Sequence, residues 1–203
     1  DTRDFFQYVK GAFGVQLCMA FVTSGDMLLI KNFFTPTEAG LYSSAMVIGK
    51  IALYLVSAII AILFPLVAGV DASGEDPRPV LYKGILYGFV LCALCGVGLN
   101  LFAGPFLRIF FGPQYLAATS LLLPISIMMI PLSLITILTN YLLALGRSRL
   151  LAFTLAPGCL AALGIVVLWH SSISQVLYVL TAMLTLIFVI NFISVFRTPH
   201  NGT

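Results

Sequence analysis

Residues 22–34 read V-T-S-G-D-M-L-L-I-K-N-F-F. They close an apolar run long enough to enter a bilayer, yet the run carries a carboxylate, Asp26. The next apolar run carries an ammonium group, Lys50. A charged group near the centre of a bilayer costs about 2.5–3.5 kcal/mol even on lenient insertion scales. Two such groups on consecutive segments therefore need a mutual pairing or a wet cavity.

The composition of the rest of the chain places these runs in a membrane. The 203 residues are 61% hydrophobic and 8% charged, and their mean hydropathy is +1.10. A soluble domain carries about 25% charged residues, so this chain cannot cover a water-facing surface. The net charge of +3 comes from basic residues scattered singly, which gives no footprint for nucleic acid. The four cysteines, at 18, 92, 95 and 159, all lie inside apolar runs. Cys92 and Cys95 spell C-x-x-C, but a lipid-buried helix disfavours the thiolates that redox or zinc chemistry requires. They read as small packing residues, and no cofactor is expected. The chain begins at Asp1 with a polar segment and shows no signal peptide, as expected of a fragment of a longer protein.

A bilayer core takes roughly 20 apolar residues per helix. Six segments qualify, near 11–33, 39–69, 81–104, 116–145, 150–169 and 175–196, forming one all-α domain over 1–203. Turn chemistry separates them: T-P-T-E-A-G at 35–40, D-A-S-G-E-D-P-R-P at 71–79, F-G-P-Q at 111–114, G-R-S-R at 146–149 and H-S-S-I-S at 170–174. Pro65, Pro124 and Pro131 fall inside over-long segments and predict kinks or tilt. With six spans, Arg3, Lys10, Arg78, Lys83, Arg147, Arg149 and Arg197 share one side, against Lys31 and Arg108 on the other. The excess of basic residues marks the cytoplasmic side. Segment 1–10 and tail 197–203 are then both cytoplasmic.

Polar residues recur at helical spacing within the spans. Gln16, Met19, Thr23 and Asp26 share a face of the first. Ser43, Lys50, Tyr54 and Ser57 share one of the second, Ser126, Met129, Ser133, Thr136 and Asn140 one of the fourth, and Tyr178, Thr181 and Thr185 one of the sixth. Such stripes face protein or water, although hydroxyls also serve as interhelical glue. The third span instead repeats Gly84, Gly88, Cys92, Gly96 and Asn100, a small-xxx-small pattern for close helix packing. Counted from the span ends, Asp26 lies roughly 10 Å and Lys50 roughly 15 Å below the outer surface. A side-chain pair between neighbouring antiparallel helices is feasible. It is either a static ion pair or a proton- or cation-responsive acid beside an anion-binding lysine.

The run G-D-M-L-L-I-K-N-F-F-T-P-T-E-A-G-L-Y-S-S-A at 25–45, with G-K-I-A-L-Y…I-L-F-P-L-V-A at 49–68, resembles the opening of the second half of a polysaccharide flippase. The stretches I-F-F-G-P-Q-Y-L-A-A at 109–118 and Y-L-L-A-L-G-R-S-R at 141–149 agree. The family is the oligosaccharide-lipid flippases, including O-antigen transporters, of the multidrug/oligosaccharidyl-lipid/polysaccharide exporter superfamily. Its marks here are the aspartate of the first helix, G-x-Y, and the F-G-x-x-Y of the third loop. The resemblance implies a polytopic membrane protein of two six-helix lobes around a central cavity, with this chain as the C-terminal lobe. The expected partners are the N-terminal lobe, the lipid bilayer of the bacterial cytoplasmic membrane, and an undecaprenyl-diphosphate-linked oligosaccharide flipped by alternating access. Lys50 would meet the diphosphate, with Arg108 at the outer mouth a second candidate. Tyr54 and Asn140 would bond sugar hydroxyls, and Asp26 would couple transport to H⁺ or Na⁺. Three rivals are weaker. A drug antiporter favours acidic and aromatic cavities over a lone lysine. A membrane enzyme needs clustered acids or His–acid pairs, while both histidines, His170 and His200, lie outside the spans. A scaffold would tolerate loss of Lys50.

Overall fold

The computed structural model describes residues 2–146, 155, 157, 158, 160, 161, 164–167 and 171–197. Every regular element among them is helical: α1 (Thr2–Phe33), α2 (Pro36–Ala72), α3 (Arg78–Leu101), α4 (Ala103–Phe110), a 3-10 turn (Pro113–Ala118), α5 (Thr119–Ala144) and α6 (Ile173–Arg197). The stretches Val9–Phe33, Pro36–Ala72, Arg78–Leu101, Pro113–Ala144 and Ile173–Val195 are each long and apolar enough to cross a membrane. The protein is an all-α polytopic membrane protein. Most of the expected span at 150–169 lies outside the described residues, as do Arg147, Arg149 and His170.

The chain reverses between α1 and α2 almost at once, because T-P-T-E is a complete helix start. Thr35 is extended (φ −65°, ψ 154°) and caps α2. Its N–H donates to Glu38 Oε2 at 3.0 Å, while the Glu38 N–H donates back to Thr35 Oγ1 at 3.4 Å. Pro36 fills the first helical position, where no N–H is needed. The result is a tight antiparallel hairpin. In it, a residue one or two turns before Phe33 faces one the same distance after Pro36.

The third span ends earlier than its hydropathy implies. A break at Phe102 separates it from the short α4, whose Ala103 and Leu107 are buried while Arg108, Ile109 and Phe110 are exposed. The chain then turns at Gly112, whose φ of +95° suits only glycine. Pro65, Pro124 and Pro131 all sit within continuous helices. The two on α5 are buried against protein, where neighbouring helices tolerate the lost backbone hydrogen bond.

Helix α5 is the centre of the bundle, buried on most of its faces, with α2, α3 and α6 packed round it. Glycines set those approaches. A methyl group at Gly49 would strike Ile125, one at Gly84 would strike Leu63, and one at Gly88 would strike Ile137. At Gly96 it would stand 3.3 Å from Ser126 Cβ. The repeat of small residues along α3 is therefore the surface that fits α2 and α5. Cys92, buried in the same contact, lies 3.6 Å from Ser133 Oγ and is a free thiol, as is Cys95. Among the described residues no cluster of His, Cys, Asp or Glu could hold a metal.

Candidate functional site

Asp26 is buried, with 6% of its surface exposed, and its direct partner is a phenol. The hairpin places Tyr42, on the second turn of α2, opposite it, and the Tyr42 hydroxyl donates to Asp26 Oδ2. Tyr42 is itself fully buried. Asp26 Oδ1 has no hydrogen-bond partner among the described residues. The aspartate lines a cavity of about 80 Å³ with Gly25, Met128, Gly158, Leu184 and Ile187, between α1, α5 and α6. Apart from Asp26, the described wall of this cavity offers no polar side chain.

Lys50 forms no direct ion pair with this carboxylate. Among the described residues it has no salt bridge and no hydrogen bond. Geometry explains the difference from the expected pair. Lys50 stands two turns beyond Tyr42, about 12 Å along α2 at 1.5 Å per residue, and its long stem spans only part of that distance. The half-buried lysine therefore keeps its ammonium without a direct partner among the described residues.

The remaining candidates separate. Tyr54 follows Lys50 on the same face of α2 and is 67% exposed. Asn140 is half-buried and donates to the Thr136 carbonyl at 2.8 Å. With Gln16, Thr23, Thr136 and Thr139 it lines a polar groove between α1 and α5. Two of the polar stripes therefore meet. The stripe on α6 does not join them: Tyr178 and Thr185 are exposed, and Thr181 and Thr185 return their protons to their own helix. Arg108 is exposed on α4 beside the start of α5, whereas Asn140 lies about 30 Å further along α5. These two residues belong to opposite ends of the bundle. Glu75 and Asp76 are exposed, and Asp76 receives the Arg78 N–H at 3.0 Å as a turn residue does.

Tyr42 is the site residue that sequence reasoning missed. It is the tyrosine of G-x-Y, and its signal is positional: it lies six residues past Pro36 at the start of α2, much as Asp26 lies seven before Phe33 at the end of α1.

A family model for polysaccharide biosynthesis proteins matches residues 1–120. The chain belongs to the polysaccharide biosynthesis protein family. The match covers α1 to the 3-10 turn, and with them Asp26, Tyr42, Lys50, Tyr54 and Arg108; the Asn140 groove wall lies beyond it. Comparison with curated proteins and with solved structures found no match. Membership of the family joins a membrane-spanning bundle to polysaccharide biosynthesis.

Proposed function

We propose that this chain is the C-terminal six-helix lobe of a flippase in the multidrug/oligosaccharidyl-lipid/polysaccharide exporter superfamily. It carries an undecaprenyl-diphosphate-linked oligosaccharide across the bacterial cytoplasmic membrane by alternating access against an N-terminal lobe. Both termini lie on the cytoplasmic side, as the distribution of Lys and Arg favours. The protein is a transporter and performs no enzymatic step.

The observation that carries this reading is Lys50, a membrane-embedded cation without a direct partner among the described residues, two turns along α2 from the tyrosine that holds a buried acid. An unneutralised ammonium in a span is retained at a cost in stability, so it serves something that visits. A diphosphate between a polyprenyl tail and a sugar needs such a cation to leave the aqueous surface. Tyr54, one turn away, lies beside the path of the attached sugar.

Asp26 is the coupling acid. When the carboxylate is charged, Tyr42 and Lys50 stabilise it; when it binds a cation, the charge of Lys50 is left free to hold the diphosphate. One unpartnered oxygen in an otherwise apolar cavity suits a proton better than Na⁺, which draws on several oxygens. Arg108 serves at the outer mouth, where it meets the headgroup as the substrate leaves.

The test introduces Asp26→Asn and Lys50→Ala into the full-length protein and measures surface polysaccharide together with abundance in the membrane. Both variants are expected to insert at normal levels and to lose most of the polymer. Normal polymer from both would remove the two residues from the mechanism and sink the reading.

A further inference from the structure

The groove between α1 and α5 offers mainly acceptors. The Thr23 hydroxyl donates its proton to the Met19 carbonyl at 2.9 Å, and the Thr136 hydroxyl to the Leu132 carbonyl at 2.7 Å. Thr139 points its proton at Met19 Sδ, 3.7 Å away, and the Asn140 amide nitrogen donates to the Thr136 carbonyl at 2.8 Å. Each hydroxyl has one proton and two lone pairs, and the asparagine keeps its carbonyl oxygen. With the hydroxyl protons and one Asn140 N–H engaged inside their own helices or with each other, Thr23 Oγ1, Thr136 Oγ1 and Asn140 Oδ1 remain to accept, beside the second Asn140 N–H. Gln16, exposed at the groove edge and unpartnered among the described residues, adds both a donor and an acceptor.

The described lining carries no charged side chain and no aromatic ring. A phosphate has no cation and few donors to meet there. An organic cation has no carboxylate or ring face to hold it. What fits is an uncharged molecule presenting several O–H or N–H donors on one edge, which is the chemistry of a sugar ring. The groove, of about 260 Å³, is open on one side and has room for one such ring.

We propose that this groove binds the uncharged glycan of the substrate, apart from the cation that holds its phosphates. The inference rests on the transport reading above and divides the substrate between two places: Lys50 for charge, and Gln16, Thr23, Thr136 and Asn140 for hydroxyls.

The test uses full-length protein in detergent and two soluble probes. One is the neutral oligosaccharide released by mild acid from the host's lipid-linked intermediate; the other is inorganic pyrophosphate. Saturation-transfer NMR reads glycan binding, and phosphorus line broadening reads pyrophosphate. Thr136→Val and Asn140→Leu are each expected to weaken glycan binding about five- to tenfold, the value of one lost hydrogen bond, and to leave pyrophosphate unchanged. Lys50→Ala should do the reverse, and Thr136→Ser should retain glycan binding.

Absence of glycan binding by the wild-type protein overturns the inference, because the groove then holds only water. So does unchanged glycan affinity in both groove variants, or joint loss of both probes from a variant that still elutes as folded protein. A flipping assay in proteoliposomes separates this inference from the transport reading. Flipping by the wild type together with groove variants that bind glycan normally rejects the groove alone. Groove-dependent glycan binding by a protein that never flips the lipid-linked form rejects transport alone.

Discussion

Asp26 and Tyr42 illustrate how a membrane helix accommodates a carboxylate. The hydrogen bond from Tyr42 satisfies one oxygen, but Oδ1 is left without a partner among the described residues. Removing the phenol leaves the acid with no direct bond. Tyr42→Phe should therefore lower stability by about 1–3 kcal/mol, the penalty for stranding a buried polar group, read as a fall in thermal midpoint in detergent. Asp26→Asn should not, because a neutral amide of the same shape still accepts from Tyr42. If the two substitutions are combined, the cost of Tyr42→Phe should shrink, and a double-mutant cycle measures that coupling. Additive effects would mean that the bond is worth no more to the carboxylate than to the amide.

At the scale of elements, α2 and α3 depend on different devices. The start of α2 depends on the Thr35–Glu38 box, and Thr35→Ala should cost about 1 kcal/mol, seen in the same melts. The position of α3 depends on glycines that α2 and α5 fill. Gly88→Val drives two branches toward Ile137 and should destabilise by about 1–3 kcal/mol, typical of overpacking. Gly98→Ala is the control, since nothing lies within 4 Å of a methyl group there. Alanine is the better helix former, so that variant should match or slightly exceed the parent. Equal melting temperatures for Gly88→Val and Gly98→Ala would show that α3 does not pack through its glycines.

For the molecule as a whole, the arrangement of charges in loops sets a testable topology. In a cysteine-free background, a cysteine at Glu75 should react with a membrane-impermeant maleimide only after the cytoplasmic face is opened. A cysteine at Thr37 should react from outside in intact cells. Both positions are exposed, so access is governed by the membrane. Labelling of both from the same side would overturn the orientation derived from Lys and Arg.

The sequence by itself determined the solvent, the helical class and, among the described residues, most of the places where the chain turns. Those properties are local: apolar length, the Thr-Pro start of α2, and glycine at Gly112. It also singled out Asp26, Lys50 and Asn140, because a polar group in a span stands out against its neighbours. The end of α3 at Phe102 was hidden, since α4 is apolar apart from Arg108 and hydropathy does not distinguish the two helices. Only the tertiary structure decided who pairs with whom. The length of the α1–α2 turn, and not the attraction of opposite charges, gave Asp26 to Tyr42 and left Lys50 without a direct partner. Packing against α5 likewise joined the α1 stripe to Asn140 and sent Arg108 to the far end. Contacts between helices depend on rotation and register, which a one-dimensional pattern of polar residues constrains but does not fix.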